Sequence, residues 1–193
     1  MSDLYLGIDL GTSGVKVAAV RDDGTVAAQA EASYAVERPC PGYAEIAPQQ
    51  WDDALRTALT PLAALRFVSV GIAGQMHGLV LVDDEGTPCR PAMLWPDRRA
   101  QSELTAWRAL SSARRLRLAN PLVAGMAGPM LRWVQANEPV TWQCAAVALQ
   151  PKDYVRSRLG GPLVAERSDA SATLLWDIPG DTWDLDVVAA LGL

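Results

Sequence analysis

Apolar residues alternate with small or polar ones in three short runs at the start of the chain. Residues 5–8, 15–20 and 25–32 therefore predict three strands, the second and third joined at Asp22-Asp23-Gly24. Residues 38–48 hold three prolines and Gly42 and predict irregular backbone. The period then changes. From Pro48, Trp51, Leu55, Ala58, Leu59 and Leu62 recur on one stripe, which predicts a helix to about Leu65. Residues 68–73 form an unbroken apolar run, the pattern of a central strand buried on both faces.

Residues 78–82 and 91–95 predict two more strands, joined across Asp83-Asp84-Glu85-Gly86. Helices are predicted over 97–110 and 130–137, a loop over 120–129, a buried strand over 145–149, and a helix over 151–159 opened by proline in its first turn. Hairpins first, then helices interleaved with single strands, give an α/β architecture. Its sheet is mixed and flanked by helices, because the opening strands are antiparallel and the later ones arrive by helical crossovers.

Composition narrows the class. At 193 residues, with 50% hydrophobic and 20% charged positions, the chain can bury a full core as one domain or a tight pair. A net charge of −5, with basic residues scattered apart from Arg114, Arg115 and Arg117, argues against a nucleic-acid surface. That cluster reads as the solvated face of a helix. Cys40, Cys89 and Cys144 are far apart and lack metal-ligand spacing, as in a reduced, cytoplasmic protein with incidental thiols. The N-terminus shows no basic-then-apolar leader, and no apolar run approaches the roughly 20 residues of a membrane span, so no membrane partner is expected.

Three clusters carry candidate chemistry. In residues 7–16 a strand ends at Asp9, passes through the small turn Gly11-Thr12-Ser13-Gly14, and returns through Lys16. Gly11 and Gly14 permit backbone that bulkier residues resist and let a phosphate approach the main chain. Thr12 and Ser13 add hydroxyls and Lys16 a positive charge. Asp9 is placed to hold a hydrated magnesium ion, which keeps most of its waters. An ordinary hairpin with a Gly- and Thr-rich turn carries the same pattern. The second cluster, residues 71–78, leaves a strand at its carboxyl end, where open α/β sheets place ligands. Gln75 and His77, the single histidine, emerge there among glycines. The third, residues 91–99, ends in Trp95 and Asp97, and Asp97 also reads as a helix N-cap.

Gly7-Ile8-Asp9-Leu10-Gly11-Thr12-Ser13-Gly14-Val15-Lys16, Gly71-Ile72-Ala73-Gly74-Gln75-Met76-His77-Gly78, Leu94-Trp95-Pro96-Asp97-Arg98-Arg99 and Pro151-Lys152-Asp153-Tyr154 occur in that order. Together with Ser168-Asp169-Ala170-Ser171 they resemble the FGGY carbohydrate kinases. The resemblance implies a ribonuclease H-like domain of the actin-like ATPase fold, ATP and Mg2+ as cofactors, and phosphorylation of a sugar. The Gln-Met-His-Gly wording points within the family to D-xylulose, giving D-xylulose 5-phosphate. Carried over, Asp9 is the catalytic acidic residue near metal and phosphates, and Gly11, Thr12, Ser13 and Lys16 line the phosphate path. Met76 and His77 contact the ketopentose, Gln75 and Trp95 form part of its pocket, and Asp97 is a further wall residue. Pro96 and Met130 depart from the family, which more often has a polar residue and a lysine there.

The resemblance also implies a whole protein of roughly twice this length. Residues 1–193 then correspond to the N-terminal, sugar-binding lobe. The aspartate base and the adenine pocket belong to a C-terminal lobe that this chain lacks. Two expectations follow. Either the chain is half of a kinase, inactive alone, or it is a non-catalytic relative that binds a sugar or a partner. A cleft wall left bare would favour self-association.

Overall fold

The computed structural model describes residues 3–193. Strands β1 (Leu4–Leu10), β2 (Gly14–Arg21) and β3 (Val26–Ser33) form the antiparallel meander that their alternation predicts. Leu6, Ile8, Leu10, Val15, Val17 and Ala19 face one way and are buried in a core cluster with Trp51, Leu55, Ala58 and Leu62. The first three of those partners lie on helix α1 (Pro48–Leu59). The opposite face of the sheet is open. Asp9, Lys16 and Glu31 stand on it in one row, each opposite the next across the strands, with Ala73 beyond Asp9.

Strand β5 (Ser69–Gly74) pairs with β1 in parallel and completes the order β3-β2-β1-β5. It is therefore an edge strand, contrary to the expectation of a central one, and Val68 and Val70 are 57% and 50% exposed. An apolar run reports low polarity, not the number of neighbours. Helix α1 also stops short of Leu65: Pro61 has no N–H to give to the helix, and Thr60–Leu62 tighten into a 3-10 turn.

The rest of the chain builds a second layer of short elements. Strand β4 (Glu45–Ile46) pairs with β7 (Ala92–Met93), and β6 (Val80–Val82) with β8 (Val147–Leu149). The two strands joined across the 83–86 turn thus have their ladders elsewhere, and meet each other where Leu79 bridges Met93. The helix expected over 97–110 is broken. Asp97 accepts from the Arg99 amide, Ala100 is non-helical, and a 3-10 turn at Arg99–Gln101 precedes α2 (Leu104–Ala109).

Helices α3 (Ser112–Leu118), α4 (Ala127–Asn137), α5 (Pro139–Cys144), α6 (Pro151–Arg158) and α7 (Arg167–Ser171) follow, then the hairpin β9 (Trp176–Asp177) and β10 (Thr182–Trp183), and α8 (Leu185–Ala190). The arginines of α3 are more than a solvated face: Arg114 pairs with Asp184 and Asp186, and Arg117 with Asp177. Met130, at a position of departure from the family, is wholly buried among Leu79, Leu81, Met93 and Val134, where its apolar side chain fits. Cys89 and Cys144 are not isolated either. Both thiols are free, and burial first, then the neighbouring Cys144 thiol, push the Cys89 thiol up to about 12. Among the described residues no helix is long and apolar enough to cross a membrane.

Candidate functional site

The parallel register of β1 and β5 puts Leu10 beside Gly74, and the Gln75 amide donates to the Leu10 carbonyl at 2.7 Å. The turn after β1 and the loop after β5 therefore leave the sheet side by side, at the carboxyl ends of parallel strands. Trp95 joins them: its indole Nε1 donates to Thr12 Oγ1 at 3.4 Å. The three clusters singled out in the sequence meet at this point.

The turn is closed by the Gly11 amide donating to the Gly14 carbonyl at 2.9 Å. Neither glycine adopts a positive φ, so the expected conformational reason for them does not apply. Close approach does. A Cβ at Gly14 would stand 2.9 Å from the Ala32 carbonyl oxygen, and one at Gly11 3.1 Å from that of Gly14. The Tyr34 hydroxyl donates to the Gly11 carbonyl, with the Gly14 carbonyl 3.2 Å away, and so braces the turn from beneath. Burial holds its pKa well above the ordinary phenol value, so it remains a donor well into alkaline solution. Nothing in the sequence marked Tyr34.

Asp9, Gly11, Ser13 and Lys16 line a common cavity of about 270 Å³, with Glu31 at its far side. Asp9 and Lys16 are exposed. Among the described residues no three His, Cys, Asp or Glu side chains gather as metal ligands. The open Asp9 carboxylate beside two hydroxyls does fit Mg2+, which takes one or two carboxylates and keeps its waters and substrate phosphates as remaining ligands.

The loop after β5 is strained where it turns. His77 has φ 58° and Gly78 φ 88°. The left-handed region costs a non-glycine residue roughly 1 kcal/mol. Gly78 has a second constraint, since a Cβ there would lie 3.0 Å from Pro151 and 3.1 Å from the Met93 carbonyl. Met76 and Trp95 stay 59% and 42% exposed, large apolar surfaces flanking the loop. The Trp95 backbone sits directly on Gly125, where a Cβ would be 2.0 Å from its carbonyl oxygen. Gly125 lies in the predicted loop and was not singled out there.

Buried side-chain polar atoms normally have partners. Of the eight without a hydrogen-bond partner among the described residues, five fall on Gln75 (both amide atoms), His77 (Nδ1), Gln150 (Oε1) and Asp169 (Oδ2), the last of which still forms an ion pair with Lys152. Lys152 ties the Asp169 segment to the end of β5. Its Nζ lies 2.9 Å from Asp153 and 3.1 Å from Asp169, and its Cβ packs against Gly74. Gln150 donates to the Asp169 main chain. Burial lowers the pKa of His77, and the Asp169 carboxylate opposes that shift in part. A concentration of unsatisfied donors and acceptors at a strand end is what a hydroxyl-rich ligand would satisfy.

Asp97 is placed differently from the other candidates. It is 1% exposed, and its carboxylate is taken up by the Ala44 amide at 2.8 Å and by the Arg99 guanidinium. Arg99 also pairs with Glu45 at 2.7 Å and lies over the Tyr43 ring, 3.5 Å from its centroid. Glu45 pairs in turn with Arg90, and Arg90 with Glu138. This buried network supports the wall that ends in Trp95. Its oxygens being occupied, Asp97 offers no free group to a ligand.

Comparison with known proteins agrees with this layout. Residues 4–193 match the N-terminal domain of the FGGY family of carbohydrate kinases. A xylulose kinase of Klebsiella pneumoniae is 40% identical over 98% of this chain. A Brucella ovis structure described as a xyloylose kinase superposes with TM-score 0.93 at 36% identity, covering 98% of this chain and 40% of that one. A gluconate kinase from Lactobacillus acidophilus shares the fold at TM-score 0.91 with 21% identity. The chain spans about 40% of the length of the Klebsiella relative. The α/β architecture with its mixed sheet is thus that of the sugar kinases of the actin-like ATPase fold, and the chain belongs to the FGGY family of carbohydrate kinases.

Proposed function

We propose that this chain is the sugar-binding lobe of a kinase that transfers the γ-phosphate of ATP to D-xylulose, giving ADP and D-xylulose 5-phosphate. The observation that carries the reading is the set of unpartnered polar atoms on Gln75 and His77, on a loop that also bears the exposed Met76 and leaves the sheet beside the turn that Trp95 touches. An apolar rim with convergent donors and acceptors suits a ketopentose. Xylulose kinases at up to 40% identity over nearly the whole chain support that choice of sugar.

In this reading Gln75 and His77 bind hydroxyls of the sugar, and Met76 and Trp95 cover its carbon skeleton. Gly11, Thr12, Ser13 and Lys16 hold the phosphates. Asp9 holds hydrated Mg2+, which when bound neutralises phosphate charge as it develops. Tyr34 keeps the turn from yielding. The base that takes the proton of the attacking hydroxyl, and the adenine pocket, belong to the part of the relatives beyond the matched 40%. The reaction is one of soluble metabolites, and we place the protein in the cytoplasm.

His77→Ala is expected to weaken D-xylulose affinity roughly tenfold or more, the effect of removing one hydrogen-bonding partner in a buried site. Calorimetric titration of the sugar reads this directly. Unchanged affinity would remove His77 from the pocket. Burial keeps the imidazole neutral at pH 7, so affinity should hold there and fall only on acidification past its lowered midpoint. A coupled assay for ADP tests turnover. Turnover by these 193 residues alone would overturn the assignment of the base to another segment. Sugar binding without turnover by the catalytically complete protein would favour a binding role.

A further inference from the structure

Strand β3 ends at Ser33, and its register against β2 sets Ser33 beside Gly14. The next residue, Tyr34, therefore lies under the turn that joins β1 to β2, half-buried against the core cluster. It reaches that turn at three carbonyls. The Tyr34 amide donates to the Ser13 carbonyl at 3.1 Å. The hydroxyl donates to the Gly11 carbonyl and has that of Gly14 at 3.2 Å. Tyr34 is not among the residues that line the cavity of Asp9, Gly11, Ser13 and Lys16.

A planar trans peptide points its C=O and its N–H in opposite directions. Holding the Gly11 carbonyl toward Tyr34 thus turns the Thr12 N–H away from Tyr34 and from the core behind it. The Gly11 amide is spent on the Gly14 carbonyl at 2.9 Å. The Thr12 and Ser13 amides have no hydrogen-bond partner among the described residues. Successive main-chain N–H groups left open in a turn make a concavity that attracts anions. Which way they face is decided by what holds the carbonyls, and here that is one side chain.

We propose that Tyr34 is a positioning residue for phosphoryl transfer: by holding the carbonyls of the turn it keeps the Thr12 and Ser13 amides facing outward as donors to the phosphate. Tyr34 itself touches neither ATP nor sugar and acts only through the main chain of the turn. The proposal rests on the reading of this turn as the phosphate site.

Tyr34→Phe removes the hydroxyl and keeps the ring. In the catalytically complete protein kcat is expected to fall roughly 10–100-fold, the loss seen when a group that orients the directly binding ones is removed. The KM for D-xylulose should not change, a split that general loosening of the fold would not produce. A folded variant with unaltered kcat would overturn the proposal. So would a loss of sugar affinity as large as the loss of kcat. A second measurement needs no variant. In ligand-free wild-type chain, hydrogen exchange read from 15N–1H spectra should find the Thr12 and Ser13 amides open to solvent. Amides already protected would overturn the proposal even if Tyr34→Phe failed to fold. Mg-ATP is then added to the complete wild-type protein, where exchange across residues 11–14 should slow. No slowing would sink the phosphate-site reading itself. Equal slowing in wild type and Tyr34→Phe would leave that reading standing and remove Tyr34 from it.

Discussion

Asp97→Ala is expected to destabilise the fold by about 3–5 kcal/mol, the range for breaking a buried ion pair from one side. The change removes the acceptor for the Ala44 amide and one of two carboxylates that neutralise Arg99, whose side chain is 2% exposed. Glu45 remains, but it already serves Arg90. An excess positive charge would then lie beneath the Tyr43 ring, with a bare backbone amide next to it. Asp97→Asn keeps an acceptor for Ala44 and should lose less. Thermal unfolding reads the effect as a fall in Tm on the order of 10 °C for a chain of this size. The sequence allowed a second role, as a wall of the sugar pocket. A variant with unaltered Tm and lost sugar binding would restore that role.

Asp9→Ala should behave in the opposite way. Its carboxylate is exposed, so stability should hardly change. In the catalytically complete protein kcat is expected to fall by roughly 10²–10³-fold, the loss found when one preorganised charge-stabilising group is removed. Charge on the transferring phosphate is greatest in the transition state, so the KM for the sugar should stay within a few-fold of its original value. The decisive measurement is the split between kcat and KM across sugar and ATP titrations. Normal kcat with a large rise in sugar KM would move Asp9 out of the phosphate site. Glu31, two strands over in the same row and given no role in the site, offers a control, since its replacement should not reproduce the loss.

Local pattern carried much of this molecule. The meander of β1 to β3 was legible because one face of each strand is apolar, and α1 because Trp51, Leu55 and Ala58 share a stripe. The pairings of the short strands were not legible. Two-residue ladders such as β4 with β7 join segments 46 to 48 residues apart, and no period encodes a partner. The edge position of β5 was hidden for the same reason. The candidates Asp9, Gly11, Thr12, Ser13, Gln75, His77 and Trp95 stand out in the sequence because glycines and polar groups interrupt apolar strands there, and the structure brings their three segments together. Tyr34 and Gly125 were missed as contributors, since each acts through a contact made across the fold. Asp97 was read as a wall residue or a helix N-cap; the sequence did not show its buried partner, the Ala44 amide some fifty residues earlier.

The 3.4 Å contact between Trp95 and Thr12 ties the wall of the proposed sugar pocket to the phosphate turn. A bond of that length is weak and easily remade. Any ligand that shifts the indole also changes what the Thr12 hydroxyl is free to bind. Linkage makes such an influence reciprocal: the factor by which sugar alters phosphate affinity is the factor by which phosphate alters sugar affinity. One indole hydrogen bond would thus make the order in which the two ligands arrive a matter of kinetics, while leaving the free energy of the ternary complex the same by either route.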